Sequence, residues 1–315
     1  MSRILTIENL HVSYGNTPVL RGVSLSADSG EILGIVGESG SGKSTMIYGA
    51  LGILGAGGRV TDGTVRYKQT ELLRMKKEEL RKLRGKEIAL IAQNPHDSFY
   101  PVKKIRSQLK DLVRSHKDLT YSEAEERMLR AMETMSLKDG KKILDHYAFE
   151  LSGGMAQRMS IAMAMVFHPQ LLFADEPTSA LDVAVQKQVA DELLRIREES
   201  GTSLLLVSHN MGVISYMSDR IAVMYHGSVM EYGSREAVIN RPMHPYTRNL
   251  IRAVPSMKRP APKGIRVSEK EEQERPGCPY QASCPQAGTS CRGKMPGFIE
   301  TEPGHLVRCW KAGTG

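Results

Sequence analysis

The sequence predicts an α/β fold: a parallel sheet with intervening helices, joined to an antiparallel β layer, an inserted helical unit and a cysteine-rich C-terminal extension. Three observations predict it. Short runs apolar at every position, such as Leu171-Leu172-Phe173-Ala174, fit strands buried on both faces. Over residues 3 to 30 and 60 to 70, apolar and polar residues alternate between glycine turns, the pattern of strands with one wet face. All four cysteines stand at or beyond position 278 of a 315-residue chain.

The elements follow in order. After the antiparallel layer, Glu31-Ile32-Leu33-Gly34-Ile35-Val36 reads as a buried strand, and Gly37-Glu38-Ser39-Gly40-Ser41-Gly42-Lys43-Ser44-Thr45 follows without a spacer. This matches GxxxxGK[ST], the phosphate loop. Gly37, Gly40 and Gly42 let consecutive amides turn inward toward phosphate oxygens, and a helix starting near Lys43 adds its positive end. Lys43 is suited to reach β and γ phosphates, and the Ser44 hydroxyl to ligate magnesium.

A strand over 88 to 92 leads to Gln93, and residues 98 to 168 are rich in helix formers, with a helix opening at Ser122-Glu123-Ala124-Glu125-Glu126-Arg127-Met128-Leu129. Within that unit Ser152-Gly153-Gly154 offers a hydroxyl and free amides at the start of a helix over Met155 to Val166, an anion site. Since the phosphate loop already supplies one cradle, a second is idle unless another nucleotide meets it. The strand over 171 to 175 delivers Asp175 and Glu176 at its carboxyl end, the first suited to hold magnesium and the second to polarise an attacking water. A last strand, 203 to 208, ends at His209.

The order of phosphate loop, Gln93, Leu151-Ser152-Gly153-Gly154, Asp175-Glu176, Ser179-Ala180-Leu181-Asp182 and His209 resembles that of ATP-binding cassette (ABC) ATPases, over almost all of residues 1 to 235. The resemblance implies a P-loop NTPase core that uses ATP and Mg²⁺ and works in pairs, each signature capping ATP on the facing subunit. It implies that Tyr14 stacks on adenine and that Gln93 senses magnesium and the γ phosphate. It also implies that the loop of Asp182 crosses the subunit boundary and that His209 is the switch histidine. The helical unit, about 98 to 168, would grip the coupling helix of a membrane subunit. His244-Pro245-Tyr246-Thr247, after Asn240-Arg241-Pro242-Met243, is similar to the segment that follows the cassette in oligopeptide, dipeptide and nickel importers, as are Met211-Gly212-Val213 and Ile221-Ala222-Val223-Met224-Tyr225.

A nucleotide-binding domain over 1 to 240 and an extension over 241 to 315 are therefore expected, with a Lys, Arg, Pro and Glu-rich linker at 256 to 276. The function implied is ATP hydrolysis powering import of peptides or related small solutes, nickel chelates included. The partners implied are a second cassette, identical or different, two transmembrane permease subunits and, indirectly, an extracytoplasmic binding protein. Ala156 and the stretch Asn94 to Pro101 depart from the peptide-importer pattern, which leaves the solute open. A soluble ABC ATPase that remodels nucleic acid or ribosomes, and an exporter cassette, are the alternatives.

Composition agrees with a peripheral protein at the cytoplasmic face of the membrane. No run of about 18 apolar residues is present, and Glu8 and Asn9 interrupt the apolar stretch near Met1 that a signal peptide would need. The net charge of +8 reads as a solvated basic surface or as attraction to anionic lipid and acidic loops of a membrane partner. Aromatic residues are 5% and do not interleave with basic ones, so nucleic acid is not indicated.

Cys278, Cys284, Cys291 and Cys309, spaced C-x5-C-x6-C-x17-C among prolines, argue for metal rather than disulfides in a cytosolic chain. Four thiolates suit a 4Fe-4S cluster, which some peptide importers carry in such a tail; zinc and unliganded thiols remain alternatives.

Overall fold

The computed structural model describes residues 2–179, 181–253 and 276–312. Ala180 and all but the last residue of the expected 256 to 276 linker lie outside the described residues. β1 (Arg3–Tyr14) and β2 (Thr17–Asp28) precede β3 (Ile32–Val36), helix α1 (Lys43–Leu51), β4 (Gly58–Tyr67) and β5 (Thr70–Glu71). α2 (Lys77–Leu83) and β6 (Ile88–Ile91) lead into α3 (Ile105–His116), α4 (Tyr121–Thr134), α5 (Gly140–Ile143) and α6 (Gly153–Met165). β7 (Leu171–Asp175), α7 (Val183–Ser200), β8 (Ser203–Ser208) and α8 (Met211–Met217) alternate. The chain continues through β9 (Arg220–Tyr225), β10 (Ser228–Ser234), α9 (Arg235–Asn240), α10 (Pro245–Ala253), β11 (Ile299–Glu302) and β12 (His305–Val307).

The chain divides into two compact units. One joins Met1–Ile4 and Ala27–Glu31 to Arg74–Val207; the other joins Leu5–Ser26 and Ile32–Leu73 to the described part of Ser208–Gly315.

In the first unit β6, β7 and β8 run parallel, with Phe173 opposite Leu90 on one side and Leu205 on the other. Every residue of β7 and β8 is buried, the pattern of predominantly apolar parallel strands covered on both faces. Each buried Leu or Phe contributes about 1.5–3 kcal/mol over an exposed one. α4 packs on α3 and α6. It starts at a capping box in which Thr120 Oγ1 accepts the Glu123 N–H and the Glu123 carboxylate accepts the Thr120 N–H. Arg106 on α3 binds Asp145 at 2.7 Å and also Glu125, tying α3 to α4 and to the stretch after α5.

In the second unit the antiparallel layer has the order β2-β1-β4-β5. β3 pairs parallel with β9, whose other edge carries β10, then β12 and β11, all antiparallel. The β9–β10 hairpin turns through His226 (φ 43°) and Gly227 (φ 77°), both left-handed, as a two-residue turn of the I′ kind requires. β9 to β12 are strands that the sequence pattern did not anticipate. β11 and β12 come from the cysteine-bearing segment, so the extension adds two strands to the sheet that carries the phosphate loop.

Candidate functional site

The phosphate loop leaves the carboxyl end of β3, where all five residues are buried. Gly37 cannot bear a side chain: a Cβ there would lie 2.2 Å from the Met224 carbonyl oxygen of β9. Gly42, the N-cap of α1, takes φ 97°, which a glycine adopts without penalty. Lys43 is only 5% exposed, and its ammonium donates to the carbonyl oxygens of Gly37 and Glu38, both at 2.8 Å. The lysine thus curls back over its own loop. Ser39 and Gly40 are exposed, Ser41 is buried, and Ser44 and Thr45 are half-buried in the first turn of α1. The loop is fastened from outside by Gly227 N–H donating to the Ser41 carbonyl at 2.9 Å.

Tyr14 closes β1 in the same unit, opposite Gly58 of β4. A Cβ on Gly58 would come within 2.9 Å of the Tyr14 ring, so the glycine gives that ring its seat. His209 follows β8 and is exposed. Asn210 beside it caps α8 by accepting the Gly212 N–H at 2.9 Å.

The remaining motif residues belong to the first unit. Asp175 ends β7 and is 1% exposed. Glu176 stands at φ 49°, a left-handed conformation that costs a non-glycine residue of order 1 kcal/mol and recurs where function fixes a side chain. Its N–H is held by the Val207 carbonyl at 2.9 Å, and its carbonyl accepts from Ser179 N–H and Oγ, each at 3.1 Å. Gln93 is exposed just beyond β6, ahead of the Pro95–Ser98 turn capped by Asn94. Ser152 is the N-cap of α6, its Oγ accepting the Met155 N–H at 3.3 Å. A Cβ added at Gly153 would meet nothing within 4 Å, while one at Gly154 would lie 3.8 and 3.9 Å from the Leu181 and Val185 side chains. Asp182 caps α7 by accepting the Val185 N–H at 3.0 Å. The hydroxyl of Ser152 and the carboxylate of Asp182 therefore already act as helix caps.

The second unit also contains residues that sequence reasoning did not assign. His244-Pro245-Tyr246 begins α10: the His244 Nδ1 accepts the Tyr246 N–H at 3.0 Å and Pro245 takes the first helical position. The amides of Met243 and His244 donate to the buried Glu231 carboxylate at 2.8 and 2.9 Å, and His305 Nε2 lies 2.7 Å from the same group. At the other end, Tyr246 Oη accepts the Glu38 N–H of the phosphate loop at 3.0 Å. The His-Pro pair was the only sequence signal for this arrangement.

Cys278, Cys284, Cys291 and Cys309 are unbridged and line one cavity together with His244 and Trp310. Burial pushes the Cys278 thiol up to about 11 and raises Cys284, so both keep their protons at neutral pH. Sharing a cavity is weaker than coordination: among the described residues no three His, Cys, Asp or Glu side chains are arranged to hold a metal ion.

Residues 20–179 match the family model of the ABC transporter, and 230–291 match the oligopeptide/dipeptide transporter C-terminal region. The chain belongs to the ABC transporter family. This cassette is 35% identical to a dipeptide transport ATP-binding protein of Bacillus subtilis (strain 168), across 98% of its own length and 95% of the relative's. It is 36% identical to an oligopeptide transport ATP-binding protein of Escherichia coli (strain K12), across 98% and 93%. Among solved structures, a dimeric ATP-binding cassette in a post-hydrolysis state bound to ADP and Pi superposes with a TM-score of 0.65 at 26% identity, covering 74% of this chain and 99% of that one. The cassette is thus an ATP-binding, ATP-hydrolysing subunit.

Proposed function

We propose that the cassette powers import of peptides or related small solutes, metal chelates included, paired with a second cassette beneath two permease subunits at the cytoplasmic face of the membrane. The observation that carries this reading is the extension. Its match to the oligopeptide/dipeptide transporter C-terminal region joins whole-length similarity to peptide-transport relatives.

In this reading the amides of the phosphate loop and Lys43 hold the β and γ phosphates. Ser44, Asp175 and Gln93 offer the hard oxygen donors that suit Mg²⁺, which when bound neutralises phosphate charge. Glu176 orients a water for in-line attack on the γ phosphorus. A P–O bond forms to that water, the bond to the bridging β–γ oxygen breaks, and the water's proton passes to the carboxylate and then to phosphate, with His209 steadying the γ phosphate. Tyr14 stacks on adenine. Ser152, Gly153 and Gly154, with the positive end of α6, cap ATP held by the partner cassette, and Asp182 belongs to the loop between the two.

The helical unit supplies the permease contact. The Lys104–Tyr147 backbone bridge sets two stretches side by side, and Tyr100, Val102 and Phe149 on them are 67, 83 and 66% exposed. So much exposed apolar surface suits a membrane subunit's loop. For the extension, four cysteines lining one cavity are the donor type that a 4Fe-4S cluster takes, and their spacing lacks the C-x2-C pairs common for zinc; a cluster there would require the thiols to draw together from the arrangement described above. Iron and sulfide are expected in anaerobically purified protein, and their absence there would remove the cluster.

The test of the whole reading is Glu176→Gln in the complex purified with its membrane subunits. Hydrolysis should fall at least about 100-fold while MgATP binding persists. Undiminished hydrolysis, or co-purification with ribosomes or nucleic acid in place of permeases, would sink it.

A further inference from the structure

One peptide group of the phosphate loop is held at both ends. The N–H of the Gly37–Glu38 peptide donates to Tyr246 Oη at 3.0 Å, and its carbonyl, that of Gly37, accepts from Lys43 Nζ at 2.8 Å. Rotation of this peptide would break both bonds together. The Gly37 Cα also lies close against β9, since a Cβ added there would come within 2.2 Å of the Met224 carbonyl oxygen. Of the two holds, the one from Tyr246 does not involve Lys43, the side chain suited to reach a phosphate.

Tyr246 itself is 1% exposed and sits in a stiff frame. Its N–H is fixed by His244 Nδ1, and the amides before it by Glu231. Its ring lies 4.5 Å from Tyr225 and 5.3 Å from Tyr280, two residues beyond Cys278. Asn249 of α10 in turn donates to Tyr280 Oη.

We propose that Tyr246 is a positioning residue for ATP binding: its hydroxyl, anchored in the cysteine-bearing extension, pre-sets the Gly37–Glu38 peptide and thereby the loop that receives the phosphates. The proposal rests on the reading of Gly37 to Thr45 as the phosphate cradle. It gives the extension a part in nucleotide binding in the chain's own ATP site. Tyr246 touches no reacting atom, so it governs how readily the loop accepts ATP and leaves the chemical step alone. Losing one such hydrogen bond releases a preorganised loop, and MgATP binding should weaken about 5-fold.

The experiment compares full-length wild type with Tyr246→Phe, which keeps the ring and removes only the hydroxyl. Calorimetric titration with MgATP should show the 5-fold weaker binding, and in the assembled complex KM for ATP should rise with kcat unchanged. A lower melting temperature with unchanged ATP affinity would mean a purely structural role and overturn the proposal, as would a fall in kcat with unchanged KM. Hydrogen exchange at the Glu38 amide of nucleotide-free wild type gives a reading that does not depend on the variant folding. Protection comparable to that of β3 amides is expected, and exchange at the rate of an open loop would overturn the hold. If the wild type itself fails to bind MgATP, the phosphate-cradle reading fails, whereas the amide exchange still reports on Tyr246.

Discussion

His244 serves the fold as a neutral ring, because only an unprotonated Nδ1 accepts the Tyr246 N–H. Burial pushes its pKa down to about 4, with Glu231 opposing and Arg248 adding a little. Between about pH 6.5 and the folded value, the unfolded chain takes up a proton that the folded chain refuses. Stability from this site is therefore complete above that range, declines as the pH drops through it and is lost below the folded pKa, a loss on the order of 3 kcal/mol. Urea unfolding of metal-free protein between pH 7 and 4 should show this slope, and His244→Gln should flatten it relative to wild type; parallel profiles would contradict it. At this scale the motif residues were legible because their chemistry sits within a few positions of sequence. The bond from Tyr246 to Glu38 spans 208 positions and leaves no periodic trace. Ser152 and Asp182 show the converse limit, since a cap and a ligand contact call for the same side chain.

α6, which carries the signature at its start, is fixed to α7 by a buried ion pair. Arg158 Nε lies 3.1 Å from Glu192, with side chains 13 and 4% exposed. Arg158→Ala would strand the Glu192 charge in the interior and should cost about 3–5 kcal/mol, whereas replacing both residues with apolar ones of similar volume should recover most of that. Denaturant midpoints of the single and double variants check it, and equal stability of the single variant and wild type would refute it. β3, β6, β7 and β8 were legible as strands because each is a short apolar run bounded by turn or motif residues. β9 holds the run Ile221 to Tyr225, whose sequence carries a family resemblance but no strand expectation. β11, reading Ile-Glu-Thr-Glu, and the three-residue β12 owe their form to pairing, β12 with β10 and β11 with β12, which propensity does not encode.

For the molecule as a working subunit, the relevant surfaces are those that meet other chains. Among the described residues no helix is long and apolar enough to cross a membrane. Phe149 is exposed and stacks on Tyr147, so Phe149→Asp should leave the fold intact while weakening the hold on the permeases about 30-fold. Pull-down from solubilised membranes measures this, and full recovery of permeases with the variant would show that the contact lies elsewhere. The order of the motifs made this level legible, since it implied a family that assembles with membrane subunits. The strands of the extension have a consequence of another kind. β12 covers the open side of β10, and the last strand outward, β11, is four residues long with Glu300 and Glu302 in it. Without them the Val229-Met230-Glu231-Tyr232 edge would present bare amides and carbonyls to any passing strand. The two strands that the extension adds thus act as a guard against aggregation, and a chain that lost its tail would be expected to clump before it could be tested for transport.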